Sequence, residues 1–456
     1  MASPGALSNR MHRAVGTRAA ALIILAGTAL SKVLGFSREM AMAAIFGTTL
    51  ATDTWLMASV LPNLFFSTLN STLSNVVIPI LSGRTPADPR DRRNLARYLN
   101  ELFTAVTLAS LALVLVGEVL AGPITHVIAP SYHGQKFGLT VAMTRWMLPT
   151  VLLWAVSGLI TGVLQSRRVY APTTAAPLIM NVVRIGTIVS LGLWLGITGV
   201  AIGFTLAVFG QTVYLWSTLG RQHIRLVFRW HLRHPWMRET LRLSWPFFYA
   251  NSVGTIGLIV DRVLASGLAT GNVAALNYAF VVSQLPVTLL LNPLVTPLFT
   301  RLAETHNGRD RRAYFRLVRL GLVYSTALLV PTALALAAFR VPILSLVYQH
   351  GVFGQSSTAL TARDLSYWAV GLPAFGWTFF LSKILFANRA TRIVLWNSTI
   401  TIAVNIALDL VLIRPMGAAG LALGTGLAAW VRTALMAAQL VYISRRATNR
   451  VLAREG

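Results

Sequence analysis

Long apolar stretches separated by short polar ones dominate this 456-residue chain. A helix that crosses the hydrocarbon core of a bilayer needs about 20 consecutive apolar residues, and the pattern meets that requirement about twelve times. The predicted spans are 18–46, 53–82, 96–121, 139–166, 173–195, 198–219, 243–268, 274–300, 315–338, 364–387, 393–413 and 417–443. The pattern therefore predicts an all-α integral membrane protein.

Composition supports the same class. Hydrophobic residues make up 55% of the chain and charged residues 11%, and the mean hydropathy is +0.65. One soluble core cannot bury that much apolar surface. The first apolar run lacks a small-residue cleavage pattern, so we expect a membrane span there rather than a cleaved signal peptide. The absence of Cys excludes disulfides and thiolate metal sites.

The net charge of +26 is informative mainly through the way in which it is distributed along the chain. In a soluble domain such a charge would suggest nucleic acid, but here the Arg residues lie between apolar runs, where they meet anionic lipid headgroups. We expect anionic membrane lipids as partners and no nucleic acid. Strongly basic loops alternate with sparse ones along the chain. This alternation predicts that both termini are cytoplasmic.

The two halves of the chain resemble each other. A shift of 224 residues aligns the pairs Arg38 and Arg262, Gly47 and Gly271, Pro62 and Pro286, Pro149 and Pro373, and Asn181 and Asn405. With a three-residue gap, 196–203 aligns with 417–424. We predict an N-lobe (1–222, six helices), a basic cytoplasmic linker (223–242) and a C-lobe (243–456, six helices). Such lobes are related by an axis along the membrane normal, with the substrate path between them.

Charged residues interrupt the first span. The stretch SKVLGFSREM contains Lys32, Arg38 and Glu39, and Asp53 begins the second span. A charge at bilayer depth is costly unless it faces protein or a water-filled cavity. Arg38 could instead extend to a headgroup. Because Arg262 repeats it in GLIVDRVLA, we favour a cavity role.

No catalytic pattern accompanies these charges. The sequence has no Walker loop, metal-spaced His cluster or nucleophile elbow. We therefore expect a protein that is not an enzyme and is not driven by ATP.

Several motifs are similar to those of one transporter family. They are SKVLGFSREMAMAAIFGTTLATDTWLMASVLPNLF, LTVAMTRWMLP, GVLQSRRVYAP, DRVLASGLATGNVAALNYAFVVSQLP and YQHGVFGQSSTALTARDLSYWAVGLPAF. Over residues 17–443 the chain resembles the MurJ/MviN family, the lipid II flippases of the multidrug/oligosaccharidyl-lipid/polysaccharide exporter superfamily. It departs from the family in the uncharged run LFFSTLNSTLSN and at Val281, where the family carries Arg. We expect a divergent member without the family's last two helices.

The resemblance implies a V-shaped, two-lobed transporter in the bacterial cytoplasmic (inner) membrane. It also implies that the transporter works by alternating access and moves an undecaprenyl-diphosphate-linked saccharide from the inner to the outer leaflet. This saccharide would be lipid II or a related cell-envelope precursor. By position, Lys32, Arg38 and Arg262 are expected to bind substrate, and Glu39 and Asp53 to act at a gate. Arg suits a diphosphate because its planar guanidinium binds phosphate in a bidentate manner. We also expect a monomer, with cell-wall synthesis enzymes as candidate partners.

A second group of polar residues lies in the C-lobe. Asn405 and Asp409 are four apart and share a helix face, and Asp261 lies in an apolar run. On the residues alone, we favour pairing of Asp261 with Arg262 and hydrogen bonds between helices. The resemblance implies instead a sodium site formed by Asp261, Asn405, Asp409, Thr425 and the carbonyl of Leu421. Na⁺ is thus the one cofactor expected.

Two other functions remain open. A cation-coupled exporter of small molecules, as in the multidrug branch of the superfamily, would favour buried acids over buried Arg. A membrane scaffold without transport activity has no reason to bury charges.

Overall fold

The computed structural model describes residues 4–82, 88–230, 234–291, 295, 311–387 and 391–455. Some predicted features lie outside these residues: Arg84, Arg301, Arg309 and Arg389 of the basic loops, linker positions 231–233, and the end of the predicted span 274–300 after residue 291 apart from 295.

The described residues are helical almost throughout, with two π-helical segments and no strand. The first α-helices are α1 (Pro4–Phe46), α2 (Leu50–Ala58), α3 (Val60–Phe65), α4 (Ser71–Ser82), α5 (Pro89–Ile128), α6 (Gly134–Met147), α7 (Pro149–Ser166), α8 (Ala171–Val189), α9 (Leu191–Leu195) and α10 (Ile197–Arg221). The later ones are α11 (Pro235–Ser266), α12 (Asn272–Leu285), α13 (Arg311–Ala338), α14 (Arg340–Tyr348), α15 (Gln355–Ala387), α16 (Thr391–Met416) and α17 (Ala418–Glu455). The π-helical segments are Phe66–Asn70 and Pro286–Leu291.

Ten helical stretches in the described part of the chain are long and apolar enough to cross a membrane, and each overlaps a predicted span. The two other predicted spans, 18–46 and 243–268, fall largely on α1 and α11. The all-α membrane fold class is confirmed. The total of twelve spans and the side of the termini stay predictions.

Helix boundaries differ from the predicted ones where the backbone requires it. The predicted span 139–166 is divided into α6 and α7, which begins at Pro149. Proline has no N–H to donate, so it is well tolerated at the first position of a helix. The span 53–82 is interrupted by the π-helical segment Phe66–Asn70, which follows the helical Pro62. Hydrophobic periodicity carries no signal for either change.

The chain divides into two compact units. Unit 1 comprises Met1–Ile45 and Thr54–Thr255, and unit 2 comprises Phe46–Asp53 and Ile256–Gly456. The core of unit 1 includes the buried side chains of Val77, Leu99, Leu159, Leu164 and Leu215.

Equivalent contacts inside the two units reflect the duplication. In unit 1 the hydroxyls of Ser157 and Thr212 lie 2.8 Å apart. In unit 2 the hydroxyls of Thr378 and Thr433, each 221 positions later, lie 2.9 Å apart. Both pairs join two helices through side chains buried in the apolar interior. The sequence repeat is thus a structural repeat.

The first part of the predicted linker is attached to unit 1. The backbone N–H of Val227 donates to Asn100 Oδ1 at 3.0 Å, and that of Arg229 donates to Thr104 Oγ1 at 2.8 Å. The N–H of His234 donates to Glu101 Oε2 at 2.8 Å. All three acceptors lie on α5, so Val227, Arg229 and His234 are joined to unit 1 by defined hydrogen bonds. The second part, from Pro235, is helical.

Candidate functional site

Arg38 lies in a polar group within unit 1. Its guanidinium forms an ion pair with Glu39 and donates from Nη1 to Asn181 Oδ1 at 3.4 Å. The Asn181 amide donates in turn to the backbone oxygen of Ser31 at 3.2 Å. Only 18% of the Arg38 side chain is exposed, and its Nε–H has no hydrogen-bond partner among the described residues. The Arg38 side chain thus lies among protein groups. Its role in a substrate cavity, rather than at a lipid headgroup, stays a prediction.

A second arginine lies beside this group. Arg184 is 7% exposed on α8, one turn after Asn181. Its guanidinium carbon is 4.7 Å from the ring centroid of Phe204 and 5.7 Å from that of Trp55. Arg38 and Glu39 are its electrostatic neighbours. Unit 1 therefore buries two guanidinium groups against one carboxylate.

Lys32 is separate from this group. It is exposed and lines a cavity of about 270 Å³ within unit 1. The polar side chains that share the cavity are Thr28, Ser31, Gln165, Tyr170, Thr173 and Thr174. Ser31 connects the cavity with the polar group of Arg38, because it lines the cavity and its backbone oxygen accepts a hydrogen bond from Asn181.

In unit 2, Arg262 occupies the position equivalent to Arg38. Its Nη2 donates to Asn277 Oδ1 at 3.2 Å. The guanidinium is partly buried on α11 and has an asparagine partner on α12, as Arg38 has an asparagine partner on α8. In each unit, the arginine at this repeat position therefore donates a hydrogen bond to an asparagine side-chain oxygen.

Asp53, predicted as a gate acid, binds the start of a helix in unit 2. Its Oδ2 accepts from the backbone N–H of Gly271 at 2.7 Å, and its Oδ1 accepts from that of Ala274 at 2.9 Å. The first N–H groups of a helix have no partner within the helix, and a carboxylate there satisfies them. Asp53 is fully buried. It acts as a capping group for α12.

The five residues of the predicted sodium site come together in unit 2. Thr425 Oγ1 lies 3.1 Å from Asp261 Oδ2 and 3.0 Å from the backbone oxygen of Leu421. Asn405 Nδ2 donates to Asp409 Oδ2 at 2.8 Å and lies 3.3 Å from Thr425 Oγ1. Three helices, α11, α16 and α17, contribute these groups.

Two carboxylate oxygens of this site have no hydrogen-bond donor among the described residues. Asp261 Oδ1 and Asp409 Oδ1 are buried and accept no hydrogen bond from the described residues. A buried carboxylate oxygen without a donor is costly, which a cation or a proton would relieve. Gly424 lies directly beside Asp409 Oδ1, where a Cβ would meet that oxygen. The site therefore has oxygen ligands on several sides and a glycine that leaves space for them.

A family model described as "Lipid II flippase MurJ" matches residues 42–450. The chain belongs to the MurJ family.

Curated relatives within this family are distant but nearly full-length matches. The chain is 28% identical over 432 residues to the lipid II flippase MurJ of Burkholderia cenocepacia, covering 91% of this chain and 82% of the relative. It is 25% identical over 418 residues to a probable lipid II flippase MurJ of Rickettsia prowazekii, covering 90% and 81%.

Solved structures show the same fold. A lipid II flippase MurJ in an inward closed conformation matches with a TM-score of 0.81 and 21% identity, over 92% of this chain and 87% of that chain. An inward-facing multidrug resistance MATE family transporter matches with a TM-score of 0.74 and 12% identity, over 93% and 99%. The fold of this chain is thus shared with that MurJ structure and with that MATE transporter.

The sequence patterns missed several polar side chains inside these helices. Glu101 is fully buried and joins the linker to α5. Asp364 is fully buried on α15, with Oδ1 facing Arg363 at 3.4 Å. Both acids lie within apolar spans, which was a signal available in the sequence. The ring contacts of Arg184 depend on tertiary packing and had no such signal.

Proposed function

We propose that this protein is a flippase for a polyprenyl-diphosphate-linked saccharide, which is lipid II or a close relative. It moves this lipid from the inner to the outer leaflet of the bacterial cytoplasmic membrane by alternating access. One observation carries the proposal. Arg38 and Arg262 occupy the same repeat position in the two units, and each is partly buried and donates a hydrogen bond to an asparagine side chain. Guanidinium groups fixed in this way suit a diphosphate headgroup. Membership of the MurJ family and the names of its curated members support the substrate class.

A multidrug-type exporter of organic cations is the second candidate, supported by the shared MATE fold. It is less well supported, because unit 1 buries Arg38 and Arg184 against a single carboxylate, Glu39. Such a group repels a cationic substrate.

The proposed function is tested by reconstitution. Purified protein in liposomes that contain a fluorescent lipid-linked saccharide should speed its movement between leaflets, measured by quenching of the outer leaflet. The matched controls are liposomes that contain Arg38→Ala protein and liposomes without protein. Equal rates in all three would contradict the flippase, and protein-dependent efflux of a cationic dye would favour the exporter.

We also propose that Na⁺ binds in unit 2 and drives the transport cycle. Asp261, Asn405, Asp409, Thr425 and the Leu421 carbonyl would hold it, as hard oxygen ligands suited to a hard cation. The two unpaired oxygens, Asp261 Oδ1 and Asp409 Oδ1, fit this role. Bound Na⁺ would neutralise one of the two buried carboxylates and so make closure of the α11, α16 and α17 site more favourable.

A further inference from the structure

The two units differ in charge around equivalent positions of the repeat. Under the shifts that align the repeats, the cation ligands Asp261, Asp409 and Thr425 correspond to Ser37, Ile185 and Phe204. Asn405 corresponds to Asn181. Unit 1 thus has the asparagine and neither carboxylate at these positions.

In unit 1 an arginine lies next to one of these positions, because Arg184 directly precedes Ile185, the counterpart of Asp409. Arg184 follows Asn181 by three positions, so both project from one face of α8. The side chain of Arg38 reaches Asn181 from α1. We infer that this group in unit 1 is an anion site for a phosphate or diphosphate, with Arg184 as its principal ligand.

The state of Arg184 supports this inference. Arg184 is 7% exposed, and the contacts of its guanidinium among the residues that the structure describes are with aromatic rings rather than with acceptor groups. An arginine has five N–H donors, and a buried one without acceptors is costly. An oxyanion would accept several of these N–H groups at once.

The aromatic rings orient the donors. Phe204 is 3% and Trp55 is 5% exposed, and both rings lie close to the guanidinium of Arg184. Stacking on rings satisfies the face of a guanidinium and leaves its edge, where the N–H groups are, for a ligand. The rings therefore fix the group without occupying its donors.

The neighbours leave a net positive charge. Glu39 is engaged by Arg38, so one of the two guanidinium charges is balanced and the other is not. The Nε–H of Arg38 is buried and has no partner among the described residues. It is a second donor for the same anion.

The anion has two candidate sources with the same chemistry. One is the diphosphate of the lipid-linked substrate, and this part of the inference rests on the proposed function. The other is free phosphate or pyrophosphate from the cytoplasm. The anion site itself rests only on unit 1.

The first test is binding of inorganic pyrophosphate to the purified full-length protein in detergent, by calorimetry. Losing the charge-assisted hydrogen bonds of Arg184 should weaken binding by roughly ten- to a hundredfold in Arg184→Met. Arg184→Lys keeps the charge but loses the planar stacking, so it should fall in between. The control is Arg432→Met, which removes a largely buried intramembrane arginine whose Nη2 already donates to Ser398 Oγ at 2.9 Å.

The second test is transport of the lipid-linked saccharide by the same variants. Loss of both pyrophosphate binding and transport in Arg184→Met assigns the site to the substrate's diphosphate. Loss of binding with normal transport assigns it to a free anion and leaves the proposed function intact. Unchanged pyrophosphate affinity in both Arg184 variants would overturn the site. If Arg184→Met does not fold, as judged by gel filtration, Arg184→Lys decides.

Discussion

Asp53 accepts a hydrogen bond of 2.7 Å from the backbone N–H of Gly271, 218 positions later in the chain. Gly271 has a φ of +94°, which side-chain-bearing residues rarely adopt, and it is the residue before α12. Its repeat counterpart, Gly47, also has a positive φ, of +57°. The short segment Phe46–Asp53 is thereby fixed to the start of α12 within unit 2.

Replacing Asp53 should therefore lower stability. Asp53→Ala leaves the N–H groups of Gly271 and Ala274 without an acceptor, and we expect a loss of about 2 kcal/mol. Asp53→Asn keeps one acceptor oxygen and should lose less. The measurement is thermal unfolding in detergent. The control is Asp91→Ala, which removes an exposed acid. A melting temperature of Asp53→Ala equal to that of the control would argue for a gate role alone.

Sodium should stabilise the protein more than potassium does. A ligand at a hundred times its Kd stabilises the folded state by about 2.7 kcal/mol. Asp409→Ala should erase the difference between the salts, since it removes a ligand. Gly424→Ala should reduce it, because the added Cβ would meet Asp409 Oδ1. Gly186→Ala is the matched control, as its Cβ would meet nothing within 4 Å. Identical melting curves in both salts over a wide concentration range would refute the site.

Arg38 should be required for transport. Removing its guanidinium in Arg38→Ala should reduce flipping by roughly a hundredfold, since charge-assisted hydrogen bonds to phosphate are lost. Arg38→Lys should rescue poorly, because lysine cannot bind in a bidentate manner. Arg145→Ala serves as control, because 56% of the Arg145 side chain is exposed. Normal flipping by Arg38→Ala would show that this residue is dispensable for the substrate.

The predicted orientation can be tested by cysteine labelling, since the native chain has no Cys. Thr49→Cys and Ser131→Cys, both at exposed positions, should react with an impermeant thiol reagent from outside. Asn94→Cys, also exposed, should react only after permeabilisation. Reactivity in the reverse order would place both termini outside.

The sequence predicted the membrane class and the position of most spans, because lipid imposes length and hydropathy on every helix it surrounds. Through the resemblance it also predicted which residues lie around Asp261, whereas Na⁺ binding there stays a prediction. The role of Asp53 was not predictable, because its partners are backbone groups far along the chain. The rings around Arg184 were missed for a related reason, since helix packing decides which side chains meet.

The π-helical segment Phe66–Asn70 should tolerate the loss of a residue better than an ordinary helix does. A π-turn holds one residue more than an α-turn. Deleting one residue within such a segment restores an α-helix and leaves the following side chains on their original faces. Deleting one residue from an ordinary helix, such as α8, rotates everything after it by about 100°. In a scan of single-residue deletions, Phe66–Asn70 should be more permissive than α8.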